Sequence, residues 1–248
     1  MRLTPEVLLV GGGALTGFGL SSDFDAHVYL LDGGHELALV DCGMGTAAGM
    51  RLVLENIRVA GIDPARISRL LLTHYHTDHA SGAARYREAL SLRVGFSASE
   101  RAALELPDHS RTSFHLAQAA GVFPTDFEYP ACPVDDPLID NQEFSIGSLG
   151  VTYLSTPGHS AGHGSFLVSG EHSTYLLGGD AIFAGGKLFL QATSDCDLRQ
   201  SLETIERLAD ISFDALFPGH GSIVFGDAKI HIDAAVASIR NLSVPPNL

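Results

Sequence analysis

Short apolar runs alternate along the chain with stretches in which apolar residues recur every three or four positions, the pattern of strands interleaved with helices. The segments His27 to Leu31 and Leu37 to Val40 read as strands joined by the turn Asp32-Gly33-Gly34, which predicts a hairpin. From Thr46 to Ala60 the residues Met50, Val53, Leu54 and Ile57 keep helical spacing, and Gly61 provides the stop. A buried-type strand is expected at Ile67 to Leu72, a helix over Ala80 to Leu90, a strand near Leu92 to Phe96 and a helix from about Ser99 to Leu106. Further on, strands are expected at Gly150 to Ser155, Gly164 to Val168, Thr174 to Leu177 and Asp214 to Phe217. Helices are expected at Ser201 to Leu208 and Ala228 to Leu242.

Two stretches interrupt the alternation. Val7 to Ser22 holds no Asp, Glu, Lys or Arg, but at 16 residues it is short for a membrane span, and Gly11, Gly12, Gly13, Gly17 and Gly19 break it up. It reads as a first strand and a glycine loop rather than a signal peptide. Between about 97 and 140 lie Pro107, Pro124, Pro130, Pro133 and Pro137, with one helical piece near Ser113 to Ala120, so a helical and loop excursion is expected there. With no repeat and no linker in sight, residues 1–248 are expected to form one domain carrying that excursion.

Composition narrows the function. The chain is 45% hydrophobic and 18% charged, too apolar for intrinsic disorder. Fifteen Lys and Arg against 29 Asp and Glu give a net charge of −14, and no basic cluster is visible. Nucleic acid and anionic membranes are therefore not expected as partners, and a small-molecule substrate is. Cys42, Cys132 and Cys196 are scattered and odd in number, which suits a reducing compartment and a cytoplasmic location. Oligomeric state is not legible in the pattern, and a homodimer is compatible with it.

The chemistry concentrates in His74-Tyr-His76-Thr-Asp78-His79, directly after the apolar strand. On an extended segment residues i and i+2 point the same way, so His74 and His76 can grip one metal. As the chain curls into a helix, Asp78 and His79 can face a second one. Four ligands do not fill two metals. Two local echoes, Thr156-Pro-Gly-His159 and Phe217-Pro-Gly-His220, each end a predicted strand, and Asp180 follows another. These would add an imidazole to each metal and a carboxylate between them. Imidazole and carboxylate suit zinc, and also iron or manganese.

With Val40-Asp41-Cys-Gly43 as the first motif, His74 to His79 as the second, then His159, Asp180 and His220, the sequence resembles the metallo-β-lactamase superfamily over nearly its whole length. The resemblance is to its glyoxalase II-like and lactonase-like branch, not to a true β-lactamase, because Asp180 stands at the bridging position. It implies an α/β fold, an αββα sandwich of two mixed sheets flanked by helices. It also implies two divalent ions, zinc first among them. His74, His76 and His159 would hold one, Asp78, His79 and His220 the other, with Asp180 between. Asp41 would orient a ligand from behind, and His163 could do the same.

The reaction so implied is hydrolysis of a small ester, thioester or lactone by a metal-bridging hydroxide, with Asp78 as proton shuttle. The segment Asp180 to Lys187 is similar to glyoxalase II, where a lysine contacts the glutathione moiety, and offers Lys187 as a substrate anchor. That family's aromatic hydroxyl is absent, however, with Leu188 and Phe189 in its place, and the 28 residues after His220 are too few for its helical domain. Acyl-homoserine lactonases are similar in length and ligand set but carry a tyrosine where this chain has Phe183. Phe114, Phe123, Phe127 and Tyr129 could wall the site or pin the excursion, with core packing favoured. An alternative reaction class, the mononuclear-iron persulfide dioxygenase, would leave Asp78, His79 and His220 without a metal. A metal-free binding protein on the same fold is the third reading. His109 and His115 belong to no motif, and His27, His35, His172 and His231 read as surface or packing residues.

Overall fold

The computed structural model describes residues 1–14, 17–106, 114–119, 121 and 123–248. Strands β1 (Val7–Gly11), β2 (Val28–Asp32), β3 (Leu37–Val40), β4 (Ile67–Leu71), β5 (Arg93–Ser97) and β6 (Asp136–Leu138) form one sheet in that order. It is antiparallel as far as β3 and parallel from β3 to β6. The second sheet has the order β11-β10-β9-β8-β7, built from β7 (Gln142–Ile146), β8 (Leu149–Ser155), β9 (Gly164–Ser169), β10 (Thr174–Gly179) and β11 (Ala215–Pro218). Only β10 and β11 run parallel there. Both sheets are mixed, as expected.

Alternation along the strands decides the layering. Leu9, Tyr29, Leu31, Val40 and Leu71 point from the first sheet into the gap between the sheets, where they meet Val151, Phe166, Val168, Leu177 and Phe217 from the second. The intervening residues Leu8, Val28, Leu30, Leu39 and Leu70 face outward onto α1 (Ala47–Val59) and a later helix, Ala83–Leu90. Leu176 and Leu216 face the other way, onto Leu198–Ala209 and Lys229–Arg240. Because the strands are buried on both faces, they read as continuous apolar runs. The result is an αββα sandwich.

Three sequence expectations change. The helix expected over Ala80 to Leu90 is two pieces, α2 (Thr77–Ala80) and α3 (Ala83–Leu90), which numbers the remaining helices α4 (Arg101–Glu105), α5 (Phe114–Ala119), α6 (Leu198–Ala209) and α7 (Lys229–Arg240). The break falls where Gly82 lies against Gly45, so closely that a Cβ on Gly82 would come within 2.8 Å of the Gly45 Cα. The excursion contains a strand, β6, despite Pro137, because it lies at the sheet edge where a missing donor is tolerated. Strand β7 also escaped the pattern. It is an edge strand whose residues are mostly half-buried or exposed, so Gln142, Glu143 and Ser145 hide its alternation. No helix among the described residues is long and apolar enough to cross a membrane.

Candidate metal centre

Every motif of the sequence follows the C-terminal end of a strand: Asp41 after β3, Thr73 to His79 after β4, His159 after β8, Asp180 after β10 and His220 after β11. These ends share one edge of the sandwich, which brings residues 179 positions apart in sequence, from Asp41 to His220, into one buried cluster. The ligand atoms of His74, His76 and His159 lie within 4.8 Å of one another. So do those of Asp78, His79 and His220, and those of His74, His79 and Asp180. All seven predicted side chains are thus gathered, with Asp180 in contact with both ends of the cluster. Its carboxylate is 3.2 Å from His220 Nε2, 3.4 Å from His159 Nε2 and 3.5 Å from His79 Nε2.

Hydrogen bonds fix which nitrogen of four of the five rings faces inward; His220 Nδ1 is buried with no such partner among the described residues. Asp41, backed onto β3 and fully buried, accepts from the Thr73 backbone N–H (2.8 Å), the Thr73 hydroxyl (2.9 Å) and His79 Nδ1 (2.8 Å). Having donated its proton to Asp41, the Thr73 hydroxyl accepts from His74 Nδ1 at 3.0 Å. One carboxylate therefore sets the tautomer of two imidazoles and turns the Nε2 lone pair of each into the cluster. His159 Nδ1 donates to the Phe189 carbonyl at 2.6 Å, and His76 Nε2 donates to Asp195 at 3.1 Å. His159 Nε2 and His76 Nδ1 are left facing each other at 2.8 Å.

That arrangement tests whether the residues fit a metal. Two lone pairs at 2.8 Å repel unless a proton or a cation lies between them. His74 Nε2 and Asp180 Oδ1 are buried without a hydrogen-bond partner among the described residues, a costly state for polar atoms that a cation would relieve. The charge balance points the same way. Burial opposes the charge on His220, but Asp180 and then Asp78 outweigh it and raise its pKa to about 9. Burial also resists ionisation of Asp78, yet His79 and His220 hold it at about 2. Burial and the neighbouring His76 lower His159 to about 4, and burial with His79 lowers His74 well below the usual value. The carboxylates attract positive charge that only some of the imidazoles can supply as protons. The donor set fits divalent cations.

The two Pro-Gly-His turns need glycine for room. A Cβ on Gly219 would lie 2.2 Å from Asp180 Oδ1 and 2.6 Å from His79 Cε1, and one on Gly158, at φ +135°, 2.3 Å from the Ser201 nitrogen. Gly219→Ala is expected to displace Asp180 or His79 and cut kcat/KM about 100-fold, the usual cost of a misplacement near 1 Å. Wild-type turnover in that variant, with its metal content unchanged, would contradict this packing.

His163 accepts from the Asp180 backbone N–H at 3.0 Å, while its Nδ1 donates to the Thr156 hydroxyl at 2.8 Å. The structure thus places His163 behind Asp180. Phe183 and Lys187 are not brought to the open side of the site. Phe183 is buried with its ring stacked behind His220, and Lys187 serves as its β-bridge partner; neither lines the adjoining cavity. Phe123 does line it, whereas Phe114 and Phe127 stack against Phe123 from behind, and Tyr129 is core, donating to the Tyr75 carbonyl. His109 lies outside the described residues. His115 is exposed, as are His35 and His172, while His27 is fully buried with Nδ1 3.0 Å from the Pro218 carbonyl. Asp195 and the Phe189 carbonyl were not anticipated. Asp195 sits in a loop with no histidine spacing or strand to flag it, and a backbone carbonyl has no sequence signature.

The cavity beside Asp78 and His220 has a volume of about 590 Å³, and its walls include Phe24, Phe123, Phe189 and Leu248. Among the described residues, no lysine or arginine lines it. Phe24 and Phe123 meet edge to face at 6.0 Å.

Known proteins agree with this architecture. Residues 22–220 match the family model described as metallo-beta-lactamase superfamily. An Aspergillus fumigatus protein named atrochrysone carboxyl ACP thioesterase is 26% identical over 222 residues, 90% of this chain and 58% of the relative. A Drosophila melanogaster beta-lactamase-like protein 2 homolog is 28% identical over 223 residues, 90% of this chain and 66% of the relative. The chain thus spans less than two thirds of the length of these relatives. Among solved structures, a metallo-beta-lactamase family protein from Thermus thermophilus superposes with a TM-score of 0.74 at 24% identity, covering 97% of this chain and 81% of that one. The subclass B3 metallo-beta-lactamase of Bradyrhizobium japonicum gives 0.72 at 19% identity, covering 98% and 91%. At those identities the structures speak for the fold alone. With the family model spanning residues 22–220, the chain belongs to the metallo-β-lactamase superfamily.

Proposed function

We propose that the chain is a metal-dependent hydrolase that cleaves a thioester or related ester of an uncharged, apolar acyl group. The observation that carries this reading is the gathering of two complete ligand sets around Asp180 beside an apolar cavity. His74, His76 and His159 would hold one divalent ion and Asp78, His79 and His220 a second, with Asp180 serving both and zinc as the first candidate. Such ions would supply Lewis acidity toward the substrate carbonyl and make water acidic enough to attack at neutral pH. The protein's own groups do the rest. Asp41, Asp195 and the Phe189 carbonyl hold the His74, His79, His76 and His159 imidazoles in one tautomer. Asp78, kept ionised and partly exposed to the cavity, can take a proton at its carboxylate and pass it to the departing group.

The apolar walls would seat the acyl half and keep water from it, and with no lysine or arginine among the described lining, a substrate carboxylate or phosphate finds no counter-ion there outside the metal centre itself. Relatives named as thioesterases support the thioester over other bonds. The Asp78–His79–His220 set favours hydrolysis over the mononuclear-iron reading, which gives these residues no metal. Chelator-stripped protein should be inert toward acyl thioesters and regain turnover with added zinc. The panel includes simple esters, an acyl-homoserine lactone and a persulfide with oxygen electrode detection. Hydrolysis indifferent to metal removal, or oxygen consumption with iron and no hydrolysis, would overturn the reading.

A further inference from the structure

The segment Leu188–Gln191 runs past the cluster as an extended ribbon, and its two edges have different partners. Toward the cluster, the Phe189 carbonyl accepts from His159 Nδ1 at 2.6 Å, and the Phe189 ring stacks on that imidazole with centroids 5.3 Å apart. On the opposite edge, residues that follow α7 hold the ribbon down. The Leu188 N–H donates to the Pro246 carbonyl at 2.9 Å, and the Leu248 N–H donates to the Leu188 carbonyl at 2.8 Å. Asn247 then extends the pairing with its side chain: its Oδ1 accepts from the Leu190 N–H at 2.7 Å, and its Nδ2 lies 3.4 Å from the Leu190 carbonyl. The amide imitates a further peptide group, in register with the parallel bridge between Leu188 and Asn247. Because backbone groups of successive residues in an extended chain point to opposite edges, pinning 188 and 190 on the outside presents the carbonyl of 189 to the inside.

Other ties to the scaffold are sparse around this stretch. Residues 189 to 194 are half-buried or exposed and belong to no helix or strand. A ribbon of that kind moves readily unless something holds it. The carbonyl of Phe189 can fix a tautomer only if it stays within hydrogen-bond reach of His159.

We propose that Asn247 is a positioning residue for His159, acting through the 188–190 ribbon. This role rests on the reading of His159 as a metal ligand. Its amide keeps Leu190 in place, which aims the Phe189 carbonyl, which in turn keeps the His159 Nε2 lone pair directed into the cluster. The same strap carries Leu248 into the cavity wall beside Phe189, so the segment that steadies the histidine also bounds the substrate side.

The test compares Asn247→Ala with Asn247→Asp, which keeps an oxygen for the Leu190 N–H. In histidine-labelled, metal-free protein the His159 Nδ1 proton, assigned by its loss in His159→Gln, should give a slowly exchanging downfield signal. Asn247→Ala is expected to speed its exchange about tenfold or more and to weaken zinc affinity, measured by chelator competition, by about tenfold, at the lower end of what outer partners of metal ligands contribute. Asn247→Asp should restore both. Since Asn247 is exposed, folding is expected to be intact in either variant. Wild-type exchange in the alanine variant would overturn the proposal, and so would equal losses in both variants, which would mark the strap as structural only. Should wild-type protein take up no divalent ion, the metal-centre reading falls while the exchange rates still decide whether Asn247 positions His159.

Discussion

Exchanging Asp180 for asparagine is expected to lower hydrolysis at least about 100-fold and to weaken metal binding by a similar factor, with the fold retained. The carboxylate lies within 3.5 Å of His79, His159 and His220, so it touches a histidine of each ligand set. Asparagine has the same shape, yet it removes the charge that compensates two ligand sets. In the metal-free protein this loss has a pH signature. Burial disfavours the His220 cation, and Asp180 is the largest of the influences that overcome it and raise the pKa to about 9. A group whose folded pKa exceeds its unfolded value near 6.5 adds stability that is complete below the unfolded pKa and vanishes as pH rises through the folded one. Metal-free Asp180→Asn should accordingly melt below metal-free wild type at pH 6, and the gap should narrow as pH rises through the His220 value near 9, with the His79 part lost only at higher pH. The His220 ring, followed by NMR, should titrate well below 9 in the variant. Equal melting at pH 6 together with an unmoved His220 titration would mean that Asp180 does not carry the charge balance.

Much of this site is legible in the sequence because the residues that would ligate a metal lie at strand ends. His74, His76, Asp78 and His79 follow a short apolar run that reads as a strand, and the spacing within them is set by the turn from strand to helix. The repeated Pro-Gly-His marks two further strand ends, but only the structure shows why glycine precedes each histidine: at Gly219 a Cβ would occupy the space of Asp180 Oδ1. What stays hidden depends on contacts between distant segments. Asp195 is an ordinary loop aspartate until the fold sets it 3.1 Å from His76. Phe183 and Lys187 stand close to Asp180 in sequence, yet the bridge between them folds Phe183 behind His220 and away from the cavity. Edge strands are missed for a related reason. Residues that are half exposed need not be apolar, so β6 and β7 carry little of the alternation that identifies central strands.

Asp41 offers the sharpest separation of stability from chemistry, because two substitutions there should fail in different ways. Alanine removes the acceptor for three donors and leaves the Thr73 N–H buried and unpaired, a loss of about 3 kcal/mol and a melting point lower by roughly 6–12 °C. Asparagine can keep its oxygen on the Thr73 N–H, but its NH₂ then faces His79 Nδ1, where the carboxylate oxygen had been. To accept from that NH₂ the imidazole must move its own proton to Nε2, the nitrogen that points at Asp78, Asp180 and His220. The lone pair needed for a metal is then gone although every side chain is in place. Asp41→Asn is expected to melt close to wild type and yet to lose about 10–100-fold in metal affinity, with hydrolysis falling at least as far. The tautomer is visible in the ¹⁵N shifts of His79 in metal-free protein once the pH is high enough to remove the extra proton that, against burial, Asp180, Asp78 and Asp41 hold on the ring. A variant that melts normally, keeps the proton on Nδ1 and binds zinc like wild type would show that Asp41 braces the Thr73 turn and nothing more. Loss of zinc binding with the tautomer switched would place control of the cluster in a carboxylate that need not touch the metal.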